Sequence, residues 1–296
     1  MQGMNEHLIS IIMPTYNRAA YIRETINSIL AQTHTNWELW IEDDGSDDNT
    51  EEIINSINDA RIHYTRHKRT AVTGTLKNAA IKKSRGSFIA FMDSDDLWPP
   101  DKLARQGKLL TDNPDAGFSF TNWRDFYDIS KPEKPFYTTI SGVEKKQLFA
   151  DYCAATILAN IGTLLCKKEC IETVGMFNEN RLFTDYSFIG ALAYKYPAII
   201  IFEPLLFRRM HATNNVSTNW AEDFYEYQET VQGYIKDGLI QYGQVRDTLF
   251  LSHIHLGQKF VAAHQIKQGM RQYLEAWKHK PFSIIPLKKL IKALFL

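Results

Sequence analysis

Three carboxylates fall within four positions at Asp93-Ser94-Asp95-Asp96, directly after the apolar run Phe88-Ile89-Ala90-Phe91-Met92. Like charges this close raise each other's pKa and destabilise a fold unless positive charge sits among them. A divalent cation would remove that cost. Asp93 and Asp95 have the one-residue spacing that lets two hard oxygen ligands meet one Mg²⁺ or Mn²⁺ and the phosphates attached to it. The same four residues could equally be a solvated acidic turn capping a helix that starts near Pro99-Pro100. A second acidic turn, Glu42-Asp43-Asp44-Gly45-Ser46, follows another apolar stretch.

Such turns need elements to aim them. Leu8 to Met13 and Trp37 to Ile41 read as short buried strands, and Arg61 to Thr65 as a third. Between them, Ile22, Ile26, Ile29 and Leu30, then Ile53, Ile54 and Ile57, recur at helical spacing. Asp48-Asn49-Thr50 offers cap residues for the second of these helices. A further helix is expected over 75–84, closed by Arg85-Gly86-Ser87 before the strand at Phe88. Strand and helix alternate, as in a parallel sheet covered on both faces. The acidic turns then lie at the carboxyl edge, where open α/β sheets place their ligands.

Composition narrows the class. Lys plus Arg and Asp plus Glu number 34 each in 296 residues, so the basic excess of a nucleic-acid binder is missing. Apolar residues make up 44 %, enough for a full core. The stretch 1–7 is polar and does not read as a secretory signal, and no apolar run reaches the roughly 20 residues of a membrane span. Cys153, Cys166 and Cys170 are odd in number and lack zinc spacing, which suits reduced thiols in a cytoplasmic protein. Neither G-x-G-x-x-G nor G-x-x-x-x-G-K-[ST] occurs, so phosphate binding would fall to a metal and basic side chains.

Four motifs agree in order and spacing. They are Pro14-Thr15-Tyr16-Asn17-Arg18, Asp43-Asp44-Gly45-Ser46, Lys77-Asn78-Ala79 leading to Asp93-Ser94-Asp95-Asp96 and Pro100-Asp101-Lys102-Leu103, and Val174-Gly175-Met176-Phe177-Asn178-Glu179 with Thr184-Asp185-Tyr186. Together they resemble glycosyltransferase family 2, the inverting nucleotide-sugar enzymes of the GT-A fold, over about residues 8–217. The resemblance implies a GT-A α/β catalytic domain over 1–217, with a mostly parallel central sheet flanked by helices, and the helical pattern that follows reads as a C-terminal extension over 218–296. It implies a nucleotide-diphosphate sugar donor, with UDP the expected nucleotide, and Mn²⁺ or Mg²⁺ as cofactor. Tyr16 matches the aromatic set against the base and Asp44 the acid that accepts from it. Pro14, Thr15, Asn17, Arg18, Ser94 and Arg209 would line the donor site. Asp93 matches the residue near ribose and metal, Asp95 the direct metal ligand, and His211 a further ligand. Asp185 matches the general base. Lys77 and Asn78 stand where the family has Arg-Asn, which keeps the charge but loses the bidentate fork. Thr184 replaces the usual acid before Asp185.

The expected reaction is single-displacement transfer to a saccharide or lipid-linked saccharide in cell-surface polysaccharide or glycolipid synthesis. Acceptor contacts are expected around Trp123, Tyr152 and Asn160 to Thr163. A sugar-phosphate nucleotidyltransferase would want a glycine-rich turn after the first strand, where this chain has Pro-Thr-Tyr-Asn. A non-catalytic relative is the other rival. From Trp220 the pattern turns helical, with two or three helices to about residue 280 and His253 and His255 on helix surfaces. The end mixes lysines with large apolar residues. It can lie on an anionic membrane surface or pack on the body, which sets the expected location as cytoplasmic with a peripheral option.

Overall fold

The computed structural model describes residues 7–211 and 220–294. The chain divides into two compact units, one gathering Met1–Leu148 with Ala159–Asn214 and the other Phe149–Leu158 with Asn215–Leu296.

The first unit is built on an eight-stranded sheet flanked by helices. β1 (Ile9–Thr15), β2 (Trp37–Asp43), β3 (Ile62–Arg66) and β4 (Phe88–Phe91) are joined through α1 (Ile22–Leu30), α2 (Thr50–Asn55) and α3 (Thr73–Lys83). After β4 come α4 (Lys102–Asp112), β5 (Phe118–Phe126) and β6 (Val143–Lys146). After α5 (Phe149–Cys153), which belongs to the second unit, follow β7 (Leu165–Lys167), α6 (Lys168–Val174), α7 (Asp185–Lys195) and β8 (Ala198–Arg209). The order across the sheet is β3-β2-β1-β4-β7-β5-β8-β6.

The expected parallel arrangement holds from β3 to β4, since β2 pairs parallel with β1 and β3, and β1 with β4. Past β4 the sheet is mixed: β7 runs antiparallel to both β4 and β5, β8 is parallel to β5, and β6 antiparallel to β8. Every residue of β4 is buried, as an apolar run covered on both faces requires. Ile22, Ile26 and Ile29 bury the inner face of α1.

Gly86 sets where β4 starts. A Cβ there would stand 2.6 Å from both Leu8 O and Ser10 Oγ. With no side chain, the Gly86 amide donates to Ser10 Oγ at 2.8 Å, and that hydroxyl donates to buried Glu38 at 2.7 Å. Arg85 adds its amide and guanidinium to Glu38. β1, β2 and the start of β4 are thereby locked in register, which places the carboxylates that follow β4.

In the second unit, α8 (Trp220–Lys236), α9 (Tyr242–Ala262), α10 (Ile266–His279) and α11 (Ile285–Leu294) pack with α5. Phe250, Ile254, Tyr273, Ala276 and Ala293 form its core. α9 and α10 meet through glycines, because a Cβ on Gly257 would come within 2.5 Å of the Tyr273 ring. His255 is exposed as expected, but His253 is not on the surface. It is buried, with Nδ1 2.8 Å from Gln272 Oε1 and near Gln228 Nε2, and burial pushes its pKa down. The helical pattern could not show this because α9 is apolar on more than one side. Among the described residues no helix is long and apolar enough to cross a membrane.

Candidate active site

The sheet's carboxyl edge gathers most of the expected residues. β1 ends in Pro14 and Thr15, aligned with Glu42 and Asp43 of β2. Asn17 then takes the left-handed conformation at φ 51°, which an Asn tolerates better than most side chains. Its amide donates to Ser46 Oγ at 2.9 Å, and its side chain exchanges hydrogen bonds with Asp47. The first turn is thus tied to the second.

Arg18 reaches across to β4. Its Nε donates to Asp95 Oδ2 at 3.0 Å, and His211 Nε2 meets the same oxygen at 2.9 Å. His211 stacks on Tyr21, ring centroids 4.6 Å apart. Arg209 donates its amide to Asp96 Oδ1 and its Nε to Asp95 O, both at 2.8 Å, and a second guanidinium nitrogen to Glu24 at 2.5 Å. Three widely separated parts of the sequence, holding Arg18, Asp95 and the pair Arg209 and His211, therefore converge. Ser94 lies buried in the same turn.

The carboxylates remain short of positive charge. Burial, with Asp95 beside it, pushes Asp93 up to about 6. Burial, then Asp95 and Asp93, pushes Asp96 well above the ordinary carboxyl range, and Asp96 Oδ2 is buried without a hydrogen-bond partner among the described residues. Hard anionic oxygens with an unmet acceptor are what a divalent cation fits. In this arrangement the carboxylates turn to Arg18, Arg209 and His211 rather than to a common point, and among the described residues no group of three or more His, Cys, Asp or Glu side chains is disposed as a metal site.

Tyr16 and Asp44 also come together, through a residue that sequence reasoning missed. Arg69 lies over the Tyr16 ring at 3.6 Å and pairs with Asp44. Thr70 donates its amide to Asp44 Oδ1 at 2.7 Å and Ala71 its amide to Oδ2 at 2.8 Å. The signal was the polar stretch His67-Lys68-Arg69-Thr70, which follows the third strand as the other turns follow theirs.

Lys77 and Asp185 form the third cluster. Lys77 is 3 % exposed, on α3, and its Nζ donates to Asp185 Oδ1 at 2.5 Å. Asp185 opens α7, with Thr184 as N-cap, so Asp185 itself is the first helical residue rather than the cap. Both Lys77 and Asp185 lie within electrostatic reach of Asp93. Asn78, by contrast, turns to the fold. Its Nδ2 donates to Phe177 O and Glu179 Oε1, each at 2.8 Å, and its Oδ1 accepts from the Phe177 amide. Tyr152 is fully buried in the second unit, and Trp98 Nε1 donates to Gly162 O in the first.

The family model described as glycosyl transferase family 2 matches residues 10–160. The Escherichia coli UDP-Glc:alpha-D-GlcNAc-diphosphoundecaprenol beta-1,3-glucosyltransferase WfgD is 39 % identical over 120 residues, 40 % of this chain and 47 % of that protein. The uncharacterized glycosyltransferase RP339 of Rickettsia prowazekii is 32 % identical over 253 residues, 79 % of this chain and 74 % of that one. The chain thus spans about half the length of the first of these relatives. Among solved structures, S. aureus TarS 1-349 in complex with UDP-GlcNAc superposes with a TM-score of 0.71 at 18 % identity, over 96 % of this chain and 88 % of that one. The mannosyltransferase PcManGT of Pyrobaculum calidifontis, in complex with GDP-Man and Mn²⁺, gives 0.64 at 19 % identity, over 98 % and 80 %. At these identities the likeness is one of fold, and the fold is the α/β sheet with flanking helices expected from the motifs.

Proposed function

The chain belongs to glycosyltransferase family 2, and on that premise we propose that it moves a sugar from a nucleotide-diphosphate donor to an acceptor hydroxyl with inversion at the anomeric carbon. The observation that carries this reading is the buried Lys77 ammonium 2.5 Å from Asp185, beside the Asp93–Asp96 turn. A single base opposite a single donor site is the arrangement that single displacement needs, and no second carboxylate is set by a motif as nucleophile.

Asp185 takes the proton of the acceptor hydroxyl as its oxygen bonds to the anomeric carbon and the bond to the diphosphate oxygen breaks. Lys77 holds Asp185 from α3 through the Nζ–Oδ1 hydrogen bond, which fixes the direction in which the carboxylate faces. It stands in for the acid missing at Thr184 by supplying orientation from the other side. Tyr16 offers a ring face to the base, and Asp44 accepts from it. Arg69, Thr70 and Ala71 hold Asp44 in place for that contact. Arg18 and Arg209 bring planar donors toward the diphosphate. Asp93, Asp95 and His211 would hold Mn²⁺ or Mg²⁺, which when bound offsets charge on the departing diphosphate.

UDP is the expected nucleotide, and TarS 1-349, similar in fold, is seen with UDP-GlcNAc. The name of WfgD specifies an undecaprenol-linked acceptor, and by that parallel we read the acceptor here as a saccharide on a lipid carrier in cell-surface glycan assembly. A water-soluble donor and a lipid-linked acceptor place the reaction at the cytoplasmic membrane face. The test is transfer from a panel of UDP-sugars to a synthetic diphospholipid-linked saccharide, with the product anomer assigned by NMR. Inverted product that depends on Mn²⁺ or Mg²⁺ is expected. Retained configuration, or pyrophosphate release from a nucleoside triphosphate instead, would overturn the reading.

A further inference from the structure

The second unit carries a surface that its own fold leaves uncovered. α11 docks one side, burying Ala293 and packing Leu290 on the core around Phe250, Ile254 and Tyr273. The opposite arc presents Ile285, Leu287 and Ile291, all exposed, interleaved with Lys288 and Lys292. Just before it, Phe282 is 100 % exposed and Ile284 60 %.

This exposure is held in place. Trp277 Nε1 donates to Pro281 O at 2.6 Å, and the Ser283 amide donates to Lys280 O at 3.0 Å. Those bonds close the turn that projects Phe282 outward, where a slacker segment would fold the ring back on the body. Charge is equally one-sided. No Asp or Glu occurs after Glu275, whereas Lys278, Lys280, Lys288, Lys289 and Lys292 do. Lys278 and Lys280 are paired with Glu275 and Asp247, while no ion pair is recorded for Lys288, Lys289 or Lys292 among the described residues.

We propose that the turn at Phe282 and the outer arc of α11 form a docking surface for an anionic lipid bilayer. Large apolar side chains beside lysines on an amphipathic helix suit the headgroup boundary, with the Phe282 ring and the aliphatic groups below it and the ammonium groups at the phosphates. A protein groove would complement the apolar residues but leave the unpaired lysines to find acids one by one. A charged lipid surface meets both at once. The proposal stands on the helical unit alone and survives or fails independently of the chemistry at the sheet edge.

The test is sedimentation of the full chain with vesicles of phosphatidylcholine alone or with phosphatidylglycerol added. Binding to the anionic vesicles, at least tenfold weaker to the neutral ones and reversed by high salt, is expected. Phe282→Ser should weaken it about tenfold, given the apolar area withdrawn from the bilayer. The double charge reversal Lys288→Glu with Lys292→Glu should weaken it by about tenfold or more. Both variants lie at exposed positions, and unchanged thermal melting confirms their fold. Equal binding to neutral vesicles, no binding to either, or loss of a concentration-dependent dimer on Phe282→Ser would each overturn the proposal, the last by assigning the face to a second copy.

Discussion

Asp185 and Thr184 separate what the site needs from what it merely contains. Asp185→Asn keeps the shape and removes the proton acceptor, so nucleotide binding by calorimetry should be retained while transfer falls by about 10²–10⁴. Full turnover in that variant would take Asp185 out of the base's role. Thr184 is buried, its hydroxyl has no partner among the described residues, and its side chain makes no capping bond. Thr184→Val should therefore leave stability within about 1 kcal/mol by urea unfolding, and leave transfer intact. A large loss of activity would mean that the hydroxyl has a part in catalysis. Both residues were visible in the sequence, but the partner of Asp185 was not. Lys77 lies 108 positions away, and no local pattern indicates that a helix ammonium will be buried against a helix start.

The elements repeat this contrast. Strand–helix alternation from residue 8 to 96 was legible because apolar periodicity is local, and those elements occur where the periodicity puts them, within one or two residues at their ends. The antiparallel insertion of β7 between β4 and β5 was not legible, because a three-residue strand carries too little pattern to show its direction. The register that aims the carboxylates depends on Gly86. Gly86→Ala forces a Cβ onto the Leu8 carbonyl and Ser10 hydroxyl and should destabilise by about 1–3 kcal/mol in urea. It should also reduce nucleotide affinity, since the turn at 93–96 rides on β4. Unchanged affinity would show that the turn is positioned independently of the strand's start. The helical unit was legible as helices, but the burial of His253 shows the limit of reading faces from a helix that is apolar on more than one side.

Across the whole molecule, buried charge sets conditions for stability as well as for function. Lys102 is fully buried on α4, donates to Gln106 at 2.7 Å and lies over the Trp98 ring. Burial pulls its pKa down from 10.5 to about 7, against an opposing contribution from neighbouring Cys166. Between pH 7 and 10.5 the unfolded chain holds a proton that the folded chain lacks, so stability from this group rises with pH across that window. Below pH 7 both states are protonated and its contribution is flat. Lys102→Met should abolish the alkaline rise in urea midpoint, and an unchanged profile would show that Lys102 stays charged in the fold. The carboxylates at 93–96 make the opposite demand, for added positive charge, and the account as a whole rests on how they obtain it. The most direct measurement is titration calorimetry of UDP into the protein with and without Mn²⁺, repeated on Asp95→Ala. Binding that requires the cation and is lost in the variant is the expected result. No heat with UDP or any other nucleoside diphosphate, whether Mn²⁺ or Mg²⁺ is supplied or withheld, would contradict the account at its centre.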